Sequence, residues 1–388
     1  MKILFLNYEY PPLGGGAGNA NEYIFEEFQK IPDLEVDFIT SSPEKAGSEE
    51  KLGKNITIHR ADIGKDPKNL HYQSQRDLLV YAFRAFFLAR KLAKKNHYEL
   101  SHSFFTVPCG FISLCLKMSF GIPYIVSLRG SDVPGYSERF SWLYKLLSPL
   151  IRFIWKKSAR VVANSQGLKE LAQKSSPKQP IDIIYNGVDT DEFRPANFED
   201  RVSIIKSDSP FKILCISRLT PRKGINYLLD AFKKVRAKYP KVKLIIGGEG
   251  DAEEALKEQA EKLGIKNQVN FLGRIPHEKV SHIYASADVF VLPSLNEGMS
   301  NTILEAIASG LPIIATDTGG TRELVEDEKN GFVIPLRSSE VIAEKLERLL
   351  EDSVLKASMG QKSRKKSEEM SWKKVAKDYY SLYNEITQ

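Results

Sequence analysis

The residues best suited to chemistry in this 388-residue chain are two glutamates and two cations. Glu297 and Glu305 stand eight positions apart in "NEGMSNTILEAIASG", and Arg218 and Lys223 lie in "SRLTPRKGINYLLDAF". The second stretch reads as a loop opening a helix, so two positive charges and free helix N–H groups converge there, as a diphosphate requires. Ser300, Asn301 and Thr302 offer cap groups and backbone donors at another helix start. Glu297 lies just before that start, where the dipole favours an acid, and simple capping would account for it. Glu305 sits among small and apolar residues, where an unpaired carboxylate is costly to bury, so it needs a partner. Nearer the N-terminus, "YPPLGGGAGN" carries Gly14, Gly15 and Gly16, which either let a ligand approach the backbone or merely form a tight turn.

The elements that must position these residues follow from periodicity. "KILFLN", "VDFIT", "ITIHR", "PYIVSLR" and "ARVVAN" read as buried parallel strands, alternating with helical segments such as "LVYAFRAFFLARKLAKK". After the polar segment "RPANFEDRVSIIKSDSP" the alternation restarts with "FKILCIS", "VKLIIGG", "VNFLG", "DVFVLP" and "PIIAT". The expected fold is α/β, two Rossmann-like doubly wound parallel-sheet halves, spanning residues 1–195 and 196–370. The closing "SWKKVAKDYYSLYNEIT" reads as an amphipathic helix, 371–388, expected to pack back on the first half. In open parallel sheets ligands bind beyond the carboxyl ends of the strands, where the three chemistry-bearing loops fall.

Composition narrows the function. With 42% hydrophobic and 27% charged residues the chain is globular rather than disordered. Cys109, Cys115 and Cys215 match no zinc or redox spacing and read as reduced thiols of a cytosolic protein. His97/His102 and His277/His282 are five apart, off the one-face spacing of helical metal ligation, so no metal site is expected. "MKILFLNYEYPP" reads as a first strand rather than a signal peptide, and no run of ~18 apolar residues spans a membrane. Charge is uneven: residues 77–178 hold 16 Lys and Arg against 5 Asp and Glu, an excess larger than the +7 of the whole chain.

The motifs together carry a resemblance. "EGMSNTILE" is similar to the glutamate, seven residues, glutamate motif of the retaining glycosyltransferases of family 4, which have the GT-B fold. In order, so are the glycine loop, "SLRGSDV", "VANS", "IYNGVDTDEFRP", "SRLTPRKG", "GGEG", "FLGRIP" and "DTGGTREL". The resemblance implies a metal-independent enzyme with two domains facing across a cleft and no cofactor beyond its nucleotide-sugar substrate. It implies that Glu305 bonds the ribose hydroxyls, that Glu297 reaches donor-sugar hydroxyls near the reacting carbon, and that Arg218 and Lys223 hold the diphosphate. Gly15, Gly16 and the stretch Gly298, Met299, Ser300, Asn301 and Thr302 would surround donor sugar and phosphate; Arg274 and Ile275 would contact the base. Asn164, in "VANS", is placed among the donor-binding residues. Many members have histidine where this chain has Arg129; arginine stays protonated at pH 7, so an acid/base role does not carry over. Arg129 is read instead as a hydrogen-bond donor to a donor hydroxyl or an acceptor phosphate, or as an ion-pair partner of Asp132. "DTD" at Asp189 to Asp191 mimics a metal-binding pair but lies in the linker signature.

Two other classes stand beside this one. An NAD-dependent oxidoreductase would explain Rossmann halves, yet the dinucleotide fingerprint is absent; a non-catalytic nucleotide-sugar-binding protein would not need Glu297. UDP-sugars are favoured over GDP-sugars as donor, and a glycan or lipid-linked glycan of the cell envelope is the expected acceptor. No nucleic acid partner is expected. The resemblance implies that the N-terminal half binds the acceptor, and residues 139–157, with Trp142, Tyr144, Phe153 and Trp155 among Lys145, Arg152, Lys156 and Lys157, read either as a surface suited to an anionic membrane or as an ordinary domain helix with its apolar face in the core. Pro149 is expected to start a new helix after Ser148. The expected location is cytoplasmic, peripheral on the inner face of the plasma membrane.

Overall fold

The computed structural model describes residues 1–65, 73–136, 141–195 and 210–388, without the side chains of 141–143 and 145. It divides into two compact units, residues 1–186 with 372–388, and 187–371. The segment "RPANFEDRVSIIKSDSP" falls largely outside the described residues, as do residues 139 and 140 of the expected membrane segment.

The described residues of the first unit build an eight-stranded sheet, ordered β3-β4-β2-β1-β5-β6-β7-β8. Its strands are β1 (Lys2–Leu6), β2 (Glu35–Ser41), β3 (Ser48–Leu52), β4 (Ile56–Ala61), β5 (Leu100–Phe104), β6 (Tyr124–Leu128), β7 (Arg160–Ala163) and β8 (Asp182–Ile183). Only β3, the exposed and charged edge, runs antiparallel. The inner strands β1 and β6 are continuous or nearly continuous apolar runs because helices cover both faces, while β5 between them is buried but polar. From β1 the chain moves outward to β2 and β4, then crosses back to β5 and beyond. Right-handed crossovers therefore put helix Gly16–Phe28 on one face and helices Gln75–Lys95, Phe111–Phe120 and Ser141–Lys157 together on the other. The C-terminal helix Trp372–Thr387 packs beside Gly16–Phe28, with the Trp372 ring stacked on Tyr23 at 5.3 Å.

One expectation fails here. Ser141–Lys157 is a single helix with Pro149 inside it rather than two helices meeting at Ser148. Ile151, Ile154 and Trp155 are buried in one core cluster, and that packing carries the helix through the lost backbone donor.

The described residues of the second unit build a six-stranded parallel sheet ordered β11-β10-β9-β12-β13-β14. These strands are β9 (Lys212–Ile216), β10 (Lys243–Gly247), β11 (Val269–Phe271), β12 (Val289–Leu292), β13 (Ile313–Thr316) and β14 (Gly331–Ile334). Sequential strands run from β9 to β11 on one side and from β12 to β14 on the other. The order therefore reverses between β9 and β12, which are hydrogen-bonded neighbours. The segment entering this unit is pinned by Arg364, whose Nη1 donates to the carbonyls of Thr190, Phe193 and Ala308 at 2.9–3.0 Å.

Candidate functional site

The reversal point between β9 and β12 is where a doubly wound sheet opens a crevice, and the loops leaving those two strands carry Arg218, Lys223 and Glu297. The loop after β9 ends in a short 3-10 turn, Pro221–Lys223, and Gly224 then starts helix Ile225–Lys238 with φ +62°. A Cβ on Gly224 would lie 2.2 Å from the Pro293 carbonyl oxygen, so only glycine lets the two loops touch. The contact delivers Lys223 to Glu297: the buried ammonium donates to Glu297 Oε1, which also accepts from Ser294 Oγ at 2.7 Å. Burial opposes ionisation of Glu297. The Lys223 charge and hydrogen bond, the Ser294 hydroxyl and the charge of Arg222 outweigh it and hold the carboxyl below its usual range. Arg218, on the same loop, is exposed, and its guanidinium makes no ion pair among the described residues.

Glu305 is a different carboxyl. It sits one helical face inward on Asn301–Ala308, and its partner is the Tyr284 hydroxyl at 2.8 Å. Burial pushes its pKa from 4.5 to about 7; the Tyr284 bond offsets only part of this, and the Glu192 charge adds to the rise. The cap of that helix is Ser300, whose side chain accepts from the Ile303 amide and meets the Thr302 hydroxyl at 3.0 Å. Capping is therefore not the office of Glu297. Gly298 and Met299 are buried between Glu297 and the cap. Gly319 faces them so closely that a Cβ would lie 1.9 Å from the Glu297 carbonyl, and the Gly320 amide donates to Gly298 O at 2.6 Å.

A second collar of glycines fixes the remaining loops. Gly248 and Gly250 leave 1.9 and 2.2 Å between a built Cβ and the carbonyls of Ser217 and Leu219, which flank Arg218. The Gly248 amide donates to Gly273 O at 2.8 Å, next to exposed Arg274, and Ile275 packs on Gly247. Asp189 of "DTD" spends its carboxylate on the amides of Asp191 and Glu192, at 2.8 and 2.9 Å, as a turn cap.

In the first unit the strand order reverses between β1 and β5. The loop after β1 holds Gly14 at φ +92°, against which the Glu9 side chain is packed, and the Gly15 amide donates to Glu9 Oε2 at 3.3 Å. Gly15 begins the helix cap of the exposed Gly16, and a Cβ on Gly15 would meet nothing within 4 Å. Arg129, after β6, does not pair its guanidinium with Asp132, so the second of its two readings does not hold. Asp132 is occupied by the backbone amides of Arg129 and Thr106, both at 2.9 Å. The guanidinium instead lies 3.5 Å from the Phe104 ring centroid and donates to Asn186 Oδ1 at 2.8 Å. Asn164, after the neighbouring β7, is buried, and its Oδ1 has no hydrogen-bond partner among the described residues.

Comparison with known proteins now decides the class. The model described as "Glycosyltransferase Family 4" matches residues 14–192, and "Glycosyl transferases group 1" matches 197–366. The chain belongs to the group 1, family 4 glycosyltransferases. It is similar to an uncharacterized glycosyltransferase of Methanocaldococcus jannaschii, at 28% identity over 99% of this chain and 98% of the relative. It is also similar to a GDP-mannose-dependent phosphatidylinositol monomannoside mannosyltransferase of Mycobacterium tuberculosis, at 34% over 49% of this chain and 51% of the relative. HepE from Anabaena, solved with UDP-glucose, superposes with a TM-score of 0.75 at 20% identity, covering 99% of this chain and 100% of that one. That likeness shows the GT-B fold, and the enzyme is a glycosyltransferase of that architecture.

Several residues of this glycosyltransferase escape sequence reasoning. Ser294, Tyr284 and Asn186 partner the expected Glu297, Glu305 and Arg129. Phe105, at the reversal point of the first sheet, holds φ +68° while stacked on Tyr8 at 4.6 Å, a conformation that costs an aromatic residue about 1–3 kcal/mol. "SFFTVPCG" carries no signal for it. Of the two readings of residues 139–157, Trp155 follows the core one: it is fully buried and donates to Thr106 Oγ1 at 2.9 Å.

Proposed function

We propose that this glycosyltransferase moves a sugar, with retention of anomeric configuration and without a metal, from a nucleoside diphosphate sugar to a glycan acceptor, lipid-linked, of the cell envelope. The observation that carries the reading is the Lys223–Glu297 pair at the reversal point of the second sheet, with Glu305 eight residues further on the adjoining helix. Lys223 has three N–H donors and Glu297 takes one, so the ammonium is positioned with donors left for diphosphate oxygens. Exposed Arg218 brings the second charge. In the front-face reaction the bond from the anomeric carbon to the diphosphate oxygen breaks and the bond to the acceptor oxygen forms on the same face. The acceptor proton passes to the departing phosphate. Negative charge grows on that phosphate, and fixed cations with a helix N-terminus are worth most against growing charge. Glu297 orients a donor-sugar hydroxyl and Glu305 the ribose; Arg274 and Ile275 flank the base.

A uridine donor is favoured, and UDP-glucose bound to the fold neighbour from Anabaena supports it. The mycobacterial relative, named for GDP-mannose, keeps guanosine as the second reading. Arg152, Lys156, Lys157 and Phe153 on the outer side of Ser141–Lys157 are exposed and support contact with an anionic membrane at the cytoplasmic face. The test incubates the protein with UDP- and GDP-sugars and reads nucleoside diphosphate release and the product anomer by NMR, with and without EDTA. Turnover of one donor that survives EDTA and retains the anomer is the expected result. An inverted product, or activity restored only by added magnesium, would overturn it.

A further inference from the structure

We infer that the solvent-facing side of helix Gln75–Lys95 docks on an anionic lipid surface and is the principal membrane contact of this protein. The inference shares with the proposed function only the membrane location, and it places the contact on a different helix from Ser141–Lys157.

The helix is held from one side. Tyr81, Ala85 and Ala89 are fully buried, and its start is fixed by a reciprocal cap in which Ser74 Oγ accepts from the Asp77 amide and Asp77 Oδ2 from the Ser74 amide. The opposite side carries Leu79, Phe83 and Phe87, which are 72%, 66% and 54% exposed. They are four residues apart and so form one stripe along the helix, and the Phe83 and Phe87 rings meet edge to face at 4.8 Å. Three large apolar side chains in a single outward row are not the scattered exposure of an ordinary surface. The adjoining helix Phe111–Phe120 lies on the same face of the sheet and adds Met118, 76% exposed.

Charge identifies the occupant. Arg76, Arg90, Lys91 and Lys94 stand beside or between the apolar residues, all exposed and making no ion pair among the described residues. Asp77, the one acid of the helix, is turned inward onto buried Lys65 at 2.7 Å, and Asp62 is taken by Arg84 at 2.8 Å. Among the described residues, the helix's own outward face is thus apolar and cationic, its acidic neighbours Glu49 and Asp62 lying to one side by Arg84 and Leu88. A second copy across a two-fold axis would set these cations against one another, whereas an anionic bilayer accepts the apolar row and neutralises the charge together.

Flotation with vesicles of phosphatidylcholine, with and without phosphatidylglycerol, tests this on the full chain. The protein should float only with the anionic vesicles and less as salt rises. Leu79→Ser with Phe83→Ser and Phe87→Ser should abolish flotation; Arg90→Gln with Lys94→Gln should weaken it about fivefold for each charge removed. Unchanged circular dichroism and melting certify that the variants fold. Flotation of the serine variant at the wild-type level would overturn the inference. So would loss of flotation in the Arg152→Gln, Lys156→Gln, Lys157→Gln variant with the serine variant unaffected, which leaves the membrane location standing. A wild-type protein that ignores anionic vesicles, or that sediments as a dimer split by the serine substitutions, refutes it too. Donor turnover in solution is measured separately, so failure of the catalytic reading is seen on its own.

Discussion

Glu305→Gln separates what this carboxyl costs the empty protein from what it contributes to donor binding. In the unfolded chain the group ionises near 4.5; in the fold, burial moves it to about 7. At 1.36 kcal/mol per pKa unit the shift corresponds to about 3 kcal/mol, an upper value because Glu305 keeps part of its surface open. The sign follows from proton uptake: between 4.5 and 7 the folded protein binds the extra proton, so the contribution to stability is fully present below 4.5 and is lost as pH rises through 7. Glutamine resembles the protonated acid and does not titrate. Urea unfolding of both proteins should therefore agree at pH 4.5 and diverge by up to about 3 kcal/mol at pH 8, with glutamine the more stable. If Glu305 holds the ribose as proposed, donor hydroxyls bond the ionised form, and binding of UDP-glucose should expel the proton. Wild-type affinity should rise from pH 5 to 7 and level off, while that of the variant stays flat and lower. Parallel unfolding curves across the whole range would refute the burial argument. A pH-independent wild-type affinity would refute the ribose contact.

The two cations of the loop after β9 should behave differently. Arg218→Ala is expected to lower turnover roughly 10²-fold with an unchanged unfolding midpoint, since the side chain is exposed. Lys223→Ala should lose turnover and also about 3–5 kcal/mol of stability by stranding the Glu297 carboxylate, and Lys223→Met with Glu297→Leu should regain stability but not activity. Gly224→Ala, with its Cβ forced to 2.2 Å from Pro293 O at φ +62°, should lower both, by at least about 1–3 kcal/mol in calorimetry.

Fold legibility followed the chemistry of each strand. β1, β2, β6, β9, β10 and β12 are apolar runs buried on both faces, and such runs announce themselves. β5, "LSHSF", does not, although every residue of it is buried. Its polar atoms are satisfied by distant partners: Ser101 and Ser103 by Ser113, and His102 by Ser127 and by Tyr383, 281 positions away on the C-terminal helix. Burial holds the His102 ring neutral. A strand stabilised by what it bonds to, not by what it is, has no local signature. The helix Ser141–Lys157 shows the converse. Its amphipathic pattern was legible, but aromatic residues lie on both of its sides, and only packing reveals that Trp155 goes inward while Phe153 stays out.

The two glutamates mark the same boundary within the site. Sequence placed one beside a helix start and one inside an apolar helix, and from that the need of Glu305 for a partner followed. It could not supply Lys223 as the partner of Glu297, because that pair joins positions 74 apart through the close contact of Gly224 with Pro293. Once the pair forms, the two carboxyls are driven in opposite directions by environment alone: Glu297 stays ionised against a lysine, and Glu305, with only a hydroxyl, is poised near neutrality. Divergent pKa values in one motif ordinarily mark an acid and a base. Under the function proposed above they do not, because the two groups would serve different parts of a long substrate. The ionised one also fixes Lys223, the cation proposed to meet the diphosphate, so its removal should disturb turnover through Lys223 as well as through the sugar.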